Sequence, residues 1–341
     1  MGRRLVYLDL LRCLAMLLVM VLHTVAPVLV DTGLYQTRTW YLCMLLDTAD
    51  RMGVPIFFMI SGYLMLRRES TLDLKGFYRK NLPKLAVPLV VWNGIYGMAD
   101  AWRAGEAFRP LEVLEALVDQ GISSHMWFIY VLLGIYLLCP FLKRMVDHCT
   151  GGQQLVLVGI VLFAPTLRPV LNAVQPMEIY LFGPLMEGCL GYFLLGYWLG
   201  RHPLHRRVRY FLYALGIAGY LAGTVGNLMA ASPQEISLPL DGGYSLQHYL
   251  TSSAVFVWVR AFARKHRRGL SPAARPLAWL SDHTFGVYWV HVLVLNLVTD
   301  WLDSGVTTLQ FVGIRLGLTV GISLLFVAVV SRIPVLRRLL M

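Results

Sequence analysis

The sequence predicts an all-α protein: a polytopic membrane bundle of about ten transmembrane helices, with both termini cytoplasmic. Three observations predict it. The composition is 57% hydrophobic and only 14% charged, with a mean hydropathy of +0.61, too apolar for a soluble chain of 341 residues. Apolar runs of about 20 residues, the length that crosses ~30 Å of hydrocarbon as a helix, recur from one end to the other. The basic residues, finally, crowd into alternate connections between these runs, as they do in membrane proteins of fixed orientation.

The runs fall at 5–29, 40–66, 84–100, 126–142, 153–170, 181–200, 208–230, 246–264, 276–299 and 310–331. The first follows a basic Gly2-Arg3-Arg4, as a signal peptide does. Asp9 and Arg12 interrupt its apolar core, however, and no small-x-small cleavage site follows, so it reads as a retained span. The second ends at the inner cluster Arg67, Arg68, Lys75, Arg79, Lys80 and Lys84, where "LDLKGFYRKNL" forms a basic amphipathic segment. The third leads into the longest outer connection, in which "PLEVLEALVDQ" reads as a short acidic helix on the membrane surface. The fourth begins beside His125 and Trp127. The sixth and seventh flank Arg201, Arg206, Arg207 and Arg209, and the eighth and ninth flank Arg264, Lys265, Arg267, Arg268 and Arg275. Outer loops hold Arg38, Arg103, Arg109 and Arg168, and spans hold Arg12, Arg51, Arg260 and Arg315, leaving 22 of the 30 Lys and Arg on the inner side. The net charge of +11 thus faces the cytoplasm and anionic membrane lipids, and implies no nucleic-acid partner.

No connection has room for a second globular domain, and no internal repeat or low-complexity linker interrupts the chain. It reads as a single integral-membrane domain over 1–341 without a fused soluble domain. Cys13, Cys43, Cys139, Cys149 and Cys189 follow no metal-ligand spacing, which argues for packing rather than disulfides or a metal site.

Ionisable residues are costly inside a bilayer, so those within spans are candidate functional groups. Arg12 and His23 are eleven residues apart, about 20° past three full helical turns and roughly 16 Å along the axis. They share one face, with Arg12 nearer the cytoplasm. Asp9, one turn earlier, is placed to pair with Arg12. The structural alternative is an Arg12 that snorkels inward and a His23 that sits at the interface. Asp47, Asp50 and Arg51 lie in the outer half of the second span, with Asp47 and Arg51 at pairing distance. Glu187, His291 and Arg315 lie in the outer halves of later spans, and His125 starts the fourth. Their common depth predicts a wet chamber open to the outside. At the inner side, Ser61-Gly62-Tyr63 and the Arg79, Lys80 and Lys84 cluster make a basic mouth backed by small residues, suited to a phosphorylated ligand with a slender tail. The alternative there is topology and close helix packing alone. No G-x-S-x-G, P-loop, dinucleotide fingerprint or H-E-x-x-H competes.

These segments resemble acyltransferase family 3, the bacterial integral-membrane O-acyltransferases of cell-surface glycans, over essentially the whole chain. "LDLLRCLAMLLVMVLHT" is similar to the family's first span, a basic residue followed eleven positions later by histidine, matched by Arg12 and His23. "PIFFMISGYLM", "HMWFIYVLLGIYLLCPFL", "FLLGYWLG" and "TFGVYWVHVLVL" resemble four further family segments in order, placing Ser61, His125, Trp127 and His291. One departure stands out. Where many members carry two arginines three apart, this chain has Asn81 and Lys84.

The resemblance implies a multi-pass protein of the bacterial cytoplasmic membrane that uses acyl-CoA, most simply acetyl-CoA, as donor and needs no metal. The donor's phosphates would meet Arg79, Lys80 and Lys84, and its arm would pass Ser61 and Arg12. His23 would then act as general base on an acceptor hydroxyl; its depth in the span, rather than the resemblance, points to Asp47 or Asp50 as the group that orients the ring. The acceptor would be an extracytoplasmic glycan or lipid-linked sugar near His125, Trp127, Glu187, His291 and Arg315, with Trp289 and Trp301 as further stacking faces. His125 and His291 are alternative bases. A secondary transporter, or a translocator of acyl groups or lipid-linked sugars without chemistry of its own, is the rival reading.

Overall fold

The computed structural model describes residues 4–119, 121–172, 188–232, 245–266, 269–270, 272–302 and 308–341, which are helical almost throughout and contain no strand. The helices are α1 (Val6–Leu29), α2 (Arg38–Asp50), α3 (Gly53–Leu66), α4 (Leu74–Asn81), α5 (Pro83–Ala104), α6 (Pro110–Asp119), α7 (Trp127–His148), α8 (Gly151–Asn172), α9 (Cys189–Arg201), α10 (Arg206–Ala230), α11 (Leu246–Lys265), α12 (Ala274–Leu302), α13 (Leu309–Val330) and α14 (Pro334–Leu340). Every expected span overlies one or more of these. Among the described residues, five stretches are long and apolar enough to cross a membrane: Val6–Leu29, Pro110–His148, Arg206–Ala230, Ala274–Leu302 and Leu309–Val330.

The expected second span, 40–66, is two helices. Pro55 explains the break: it has no N–H for the Arg51 carbonyl four residues back, and its ring crowds that carbonyl. The chain turns at Arg51 and Met52, and α3 restarts at Gly53. Gly53 is required there, because a Cβ would lie 2.9 Å from the Ala15 carbonyl and 3.0 Å from the Val19 side chain of α1.

The chain forms two compact units. The first comprises Met1–Arg67, Met145–Asp282 and Gly305–Val312; the second comprises Arg68–Arg144, His283–Ser304 and Gly313–Met341. In the first unit, Thr37 caps α2 by accepting the Trp40 N–H at 3.2 Å, and Trp40 donates its indole N–H to the Leu29 carbonyl at 3.3 Å. Trp40, Val28, Leu29, Cys43 and Met44 form an apolar core between α1 and α2. α3 and α9 cross so closely that a Cβ on Gly62 would overlap the Phe193 carbonyl, and one on Gly196 would overlap the Met59 backbone. Small residues at such a crossing let backbones approach where lipid gives helices no hydrophobic reason to associate. At the start of α1, Arg4 grips Asp9 at 2.8 and 3.0 Å and Asp282 at 2.8 and 2.9 Å. These hydrogen bonds, Asp9 first, hold the Arg4 guanidinium well above its usual pKa.

In the second unit, Asp73 caps α4 by accepting the Gly76 N–H at 3.1 Å. The aromatic face of α4 packs on α7, with Phe77 against Tyr136 and the Tyr78 hydroxyl donating to the Leu137 carbonyl at 2.7 Å. Trp92 of α5 donates to the Leu340 carbonyl of α14 at 3.1 Å. Within this unit α12 and α13 run antiparallel, His283 meeting Ser331 and Gly286 meeting Val327.

Candidate functional site

Polar residues gather in two groups around histidines, one in each unit. The first is built by α1, α2, α3 and α11. His23 is half-buried on α1, and Pro27, four residues on, offers no N–H to its carbonyl. Arg51, at the α2–α3 break, donates to Asp47 at 3.0 to 3.2 Å through Nε and Nη2. Asp47 is fully enclosed and the Arg51 side chain is 27% exposed. The Arg51 guanidinium lies within electrostatic reach of both His23 and His248. Asp50 is buried beside it in sequence. Arg12, three turns below His23, is half-buried and extends its Nη1 to the Ser281 hydroxyl at 3.5 Å. Asp9 is held by Arg4, which precedes α1.

The second group lies wholly within the second unit. His125, His291, Tyr96 and Tyr288 form an aromatic nest, the two imidazoles 5.2 Å apart and edge-on. His291 is fully buried. Its Nδ1 lies 2.7 Å from the Tyr288 carbonyl, an acceptor only, so Nδ1 carries a proton and donates it there. The Tyr288 hydroxyl donates to the His125 carbonyl at 2.7 Å, and Ser123 meets His125 Nδ1 at 2.8 Å. The Tyr96 hydroxyl is spliced into α12: it donates to the Trp289 carbonyl at 3.0 Å and accepts the Leu293 N–H at 3.1 Å. Those two backbone groups would otherwise bond each other, so the wedge opens the ladder around His291.

The basic mouth is also in the second unit. Arg79 and Lys80 on the exposed face of α4 and Lys84 on the first turn of α5 project outward. Asn81, at one family arginine position, turns its amide back onto the Phe77 carbonyl at 2.8 Å. Lys143, which composition alone did not single out, is 1% exposed on α7 and reaches Glu69 at 3.4 Å.

The structure thus brings His23, Asp47, Asp50 and Arg12 into one unit, and His125, His291, Arg79, Lys80 and Lys84 into the other. Ser61 is half-buried on α3 beside the Gly62 crossing. Arg315 is buried on α13, in line with Thr319 and Ser323. Glu187 lies outside the described residues. Asp47, Asp50, His125, His291 and Arg315 are each at most 4% exposed. Trp289 is corrected as a stacking face: it is fully buried against Phe285 and Tyr288. Trp127 is half-buried, and Trp301 is exposed. Sequence reasoning missed His248 and Tyr96. His248 carried a signal, since it is an ionisable residue near the outer end of an apolar run; Tyr96 carried none.

A family model described as an acyltransferase domain matches residues 5–330. No curated protein and no solved structure matches the chain.

Proposed function

From the premise that the chain belongs to acyltransferase family 3, a match spanning nearly its full length, we propose that it is a membrane O-acyltransferase of the bacterial cytoplasmic membrane. It carries an acyl group, most simply acetyl, from cytosolic acyl-CoA to a hydroxyl of an extracytoplasmic glycan or lipid-linked sugar. All ten expected spans cross the bilayer in this reading, with both termini inside.

The observation that carries the reading is the His23 group: an imidazole half-buried on α1, flanked by a charged pair, with Arg12 on the same face three turns below. The reaction needs a base at the acceptor and a cation along the donor. We assign the base to His23. Its neutral ring takes the proton of the acceptor hydroxyl as the oxygen attacks the thioester carbonyl. The C–S bond breaks, an ester forms, and the released thiolate recovers a proton. We assign donor phosphates to Arg79, Lys80 and Lys84, exposed cations at the end of α4 and the start of α5, and the thioester end to Arg12. Arg51 holds Asp47 as its counter-ion beside His23, and His125 and His291 belong to acceptor recognition.

Purified protein in lipid nanodiscs, given acetyl-CoA labelled in the acetyl group and a glycolipid extract, should release free thiol and label the extract in equal amounts. Thiol release without labelled product would indicate hydrolysis. Passage of label with no thioester cleavage would favour a transporter, a reading to which the broken α2–α3 helix lends some support.

A further inference from the structure

The first two turns of α11 present a buried polar face that the assignments above leave unused. His248, Tyr249 and Ser252 lie at i, i+1 and i+4, within one helical face, and are 2%, 4% and 0% exposed. His248 uses Nδ1 toward the Ser245 hydroxyl at 2.8 Å. Its Nε2, the Tyr249 hydroxyl and the Ser252 hydroxyl have no hydrogen-bond partner among the described residues. Three neighbouring buried polar atoms without partners are rare in a folded chain, because each has given up water for nothing. Further along the same face, Phe256, Val259 and Ala263 are apolar and closely packed, so the polar character is confined to one end.

One ring contact fixes the level of this patch against α1. Tyr7 packs edge-on against Phe256, ring centroids 6.2 Å apart. At the other end His23 and His248 share the field of Arg51. The helices therefore run antiparallel. Counting from the Tyr7–Phe256 level, Ser252 and His248 stand about 6 and 12 Å along the axis, and Arg12 and His23 about 8 and 24 Å. The orphaned groups begin at the level of Arg12 and rise toward His23.

We propose that His248, Tyr249 and Ser252 form the subsite for the amide-bearing arm of the thioester donor. This rests on the donor reading above. The arm is narrow, extended and carries successive amide N–H and C=O groups, which two hydroxyls and an imidazole can satisfy from one side. The subsite holds the arm of the bound donor and so contributes to donor affinity.

The test uses the full-length protein in nanodiscs and two probes. Desulfo-CoA carries the arm, and adenosine bisphosphate carries only the nucleotide end. Tyr249→Phe/Ser252→Ala removes two hydroxyls at nearly constant shape. It should weaken desulfo-CoA binding by about tenfold or more and raise the KM for acetyl-CoA similarly, while adenosine bisphosphate binding and kcat stay within about twofold. If the double variant does not insert, each single substitution should show a smaller shift of the same kind, about threefold or more. Unchanged desulfo-CoA affinity with a raised melting temperature would overturn the proposal, since the groups would then hold only water. Should wild-type protein bind neither probe, the donor reading fails and this inference with it. Wild-type binding that the variants leave intact sinks the inference alone.

Discussion

The two histidine groups are built on opposite principles. Around His23 the partners are charged: Arg51 against Asp47, with Asp50 adjacent, and the imidazole itself half-buried. Around His291 they are neutral and aromatic, every ring is buried, and the protonated nitrogen is committed to the Tyr288 carbonyl. A group that must gain and lose a proton needs nearby charge and an approach for the substrate. A group that holds an orientation needs hydrogen bonds and close packing. The difference favours His23 for chemistry and His291 for placement.

The largest expected effect separates them directly. His23→Ala should lower kcat by about 10²–10⁴-fold with desulfo-CoA binding retained. His291→Ala should instead lower the melting temperature, by a loss of about 1–3 kcal/mol, because the Tyr288 carbonyl loses its buried donor. Equal kinetic losses with equal stability would erase the distinction.

Next in size is the ion pair. Arg51→Ala removes the Arg51–Asp47 ion pair from the fully enclosed Asp47 and should cost up to about 3–5 kcal/mol. Arg51→Met combined with Asp47→Leu should recover most of that stability but not activity. Thermal unfolding of the three proteins in one lipid mixture decides this.

Gly62→Val probes the scaffold rather than the chemistry. Its Cβ would overlap the Phe193 carbonyl, so α3 and α9 must separate, at about 1–3 kcal/mol. An unchanged melting temperature would show that the crossing is looser than described.

The smallest effect is expected from Tyr96→Phe. Once the hydroxyl is removed, the Leu293 N–H can return to the Trp289 carbonyl, so stability should change by only about 1 kcal/mol. The KM for acceptor should rise while the KM for donor does not. A change in the donor KM alone would place the second group with the donor instead.

Much of this fold is legible in the sequence, because long apolar runs bounded by basic residues determine helices in lipid whatever they pack against. The α2–α3 break is not legible in the same way: Pro55, four residues after Arg51, is its one signal, and the apolar run around it reads as continuous. The pairing of Arg51 with Asp47 follows from helical spacing alone. The pairing of Asp9 with Arg4 does not, since Arg4 precedes the helix and obeys no helical register. The burial of His291 and Asp47 could not be read from depth, because depth along a helix says nothing about which neighbour covers the side chain. Tyr96 was beyond reach for a sharper reason. Its partners are backbone atoms of a helix nearly two hundred residues later, and backbone leaves no mark in side-chain pattern.

Chemical rescue is the most direct test of His23 as proton acceptor. His23→Ala protein, shown to insert and to bind desulfo-CoA normally, is assayed for thiol release from acetyl-CoA with and without added imidazole. The account predicts a rate reduced by about 10²–10⁴-fold, partly restored by imidazole in proportion to its neutral form, with no such rescue in Arg12→Ala. Transfer by His23→Ala at the wild-type rate without imidazole would contradict it.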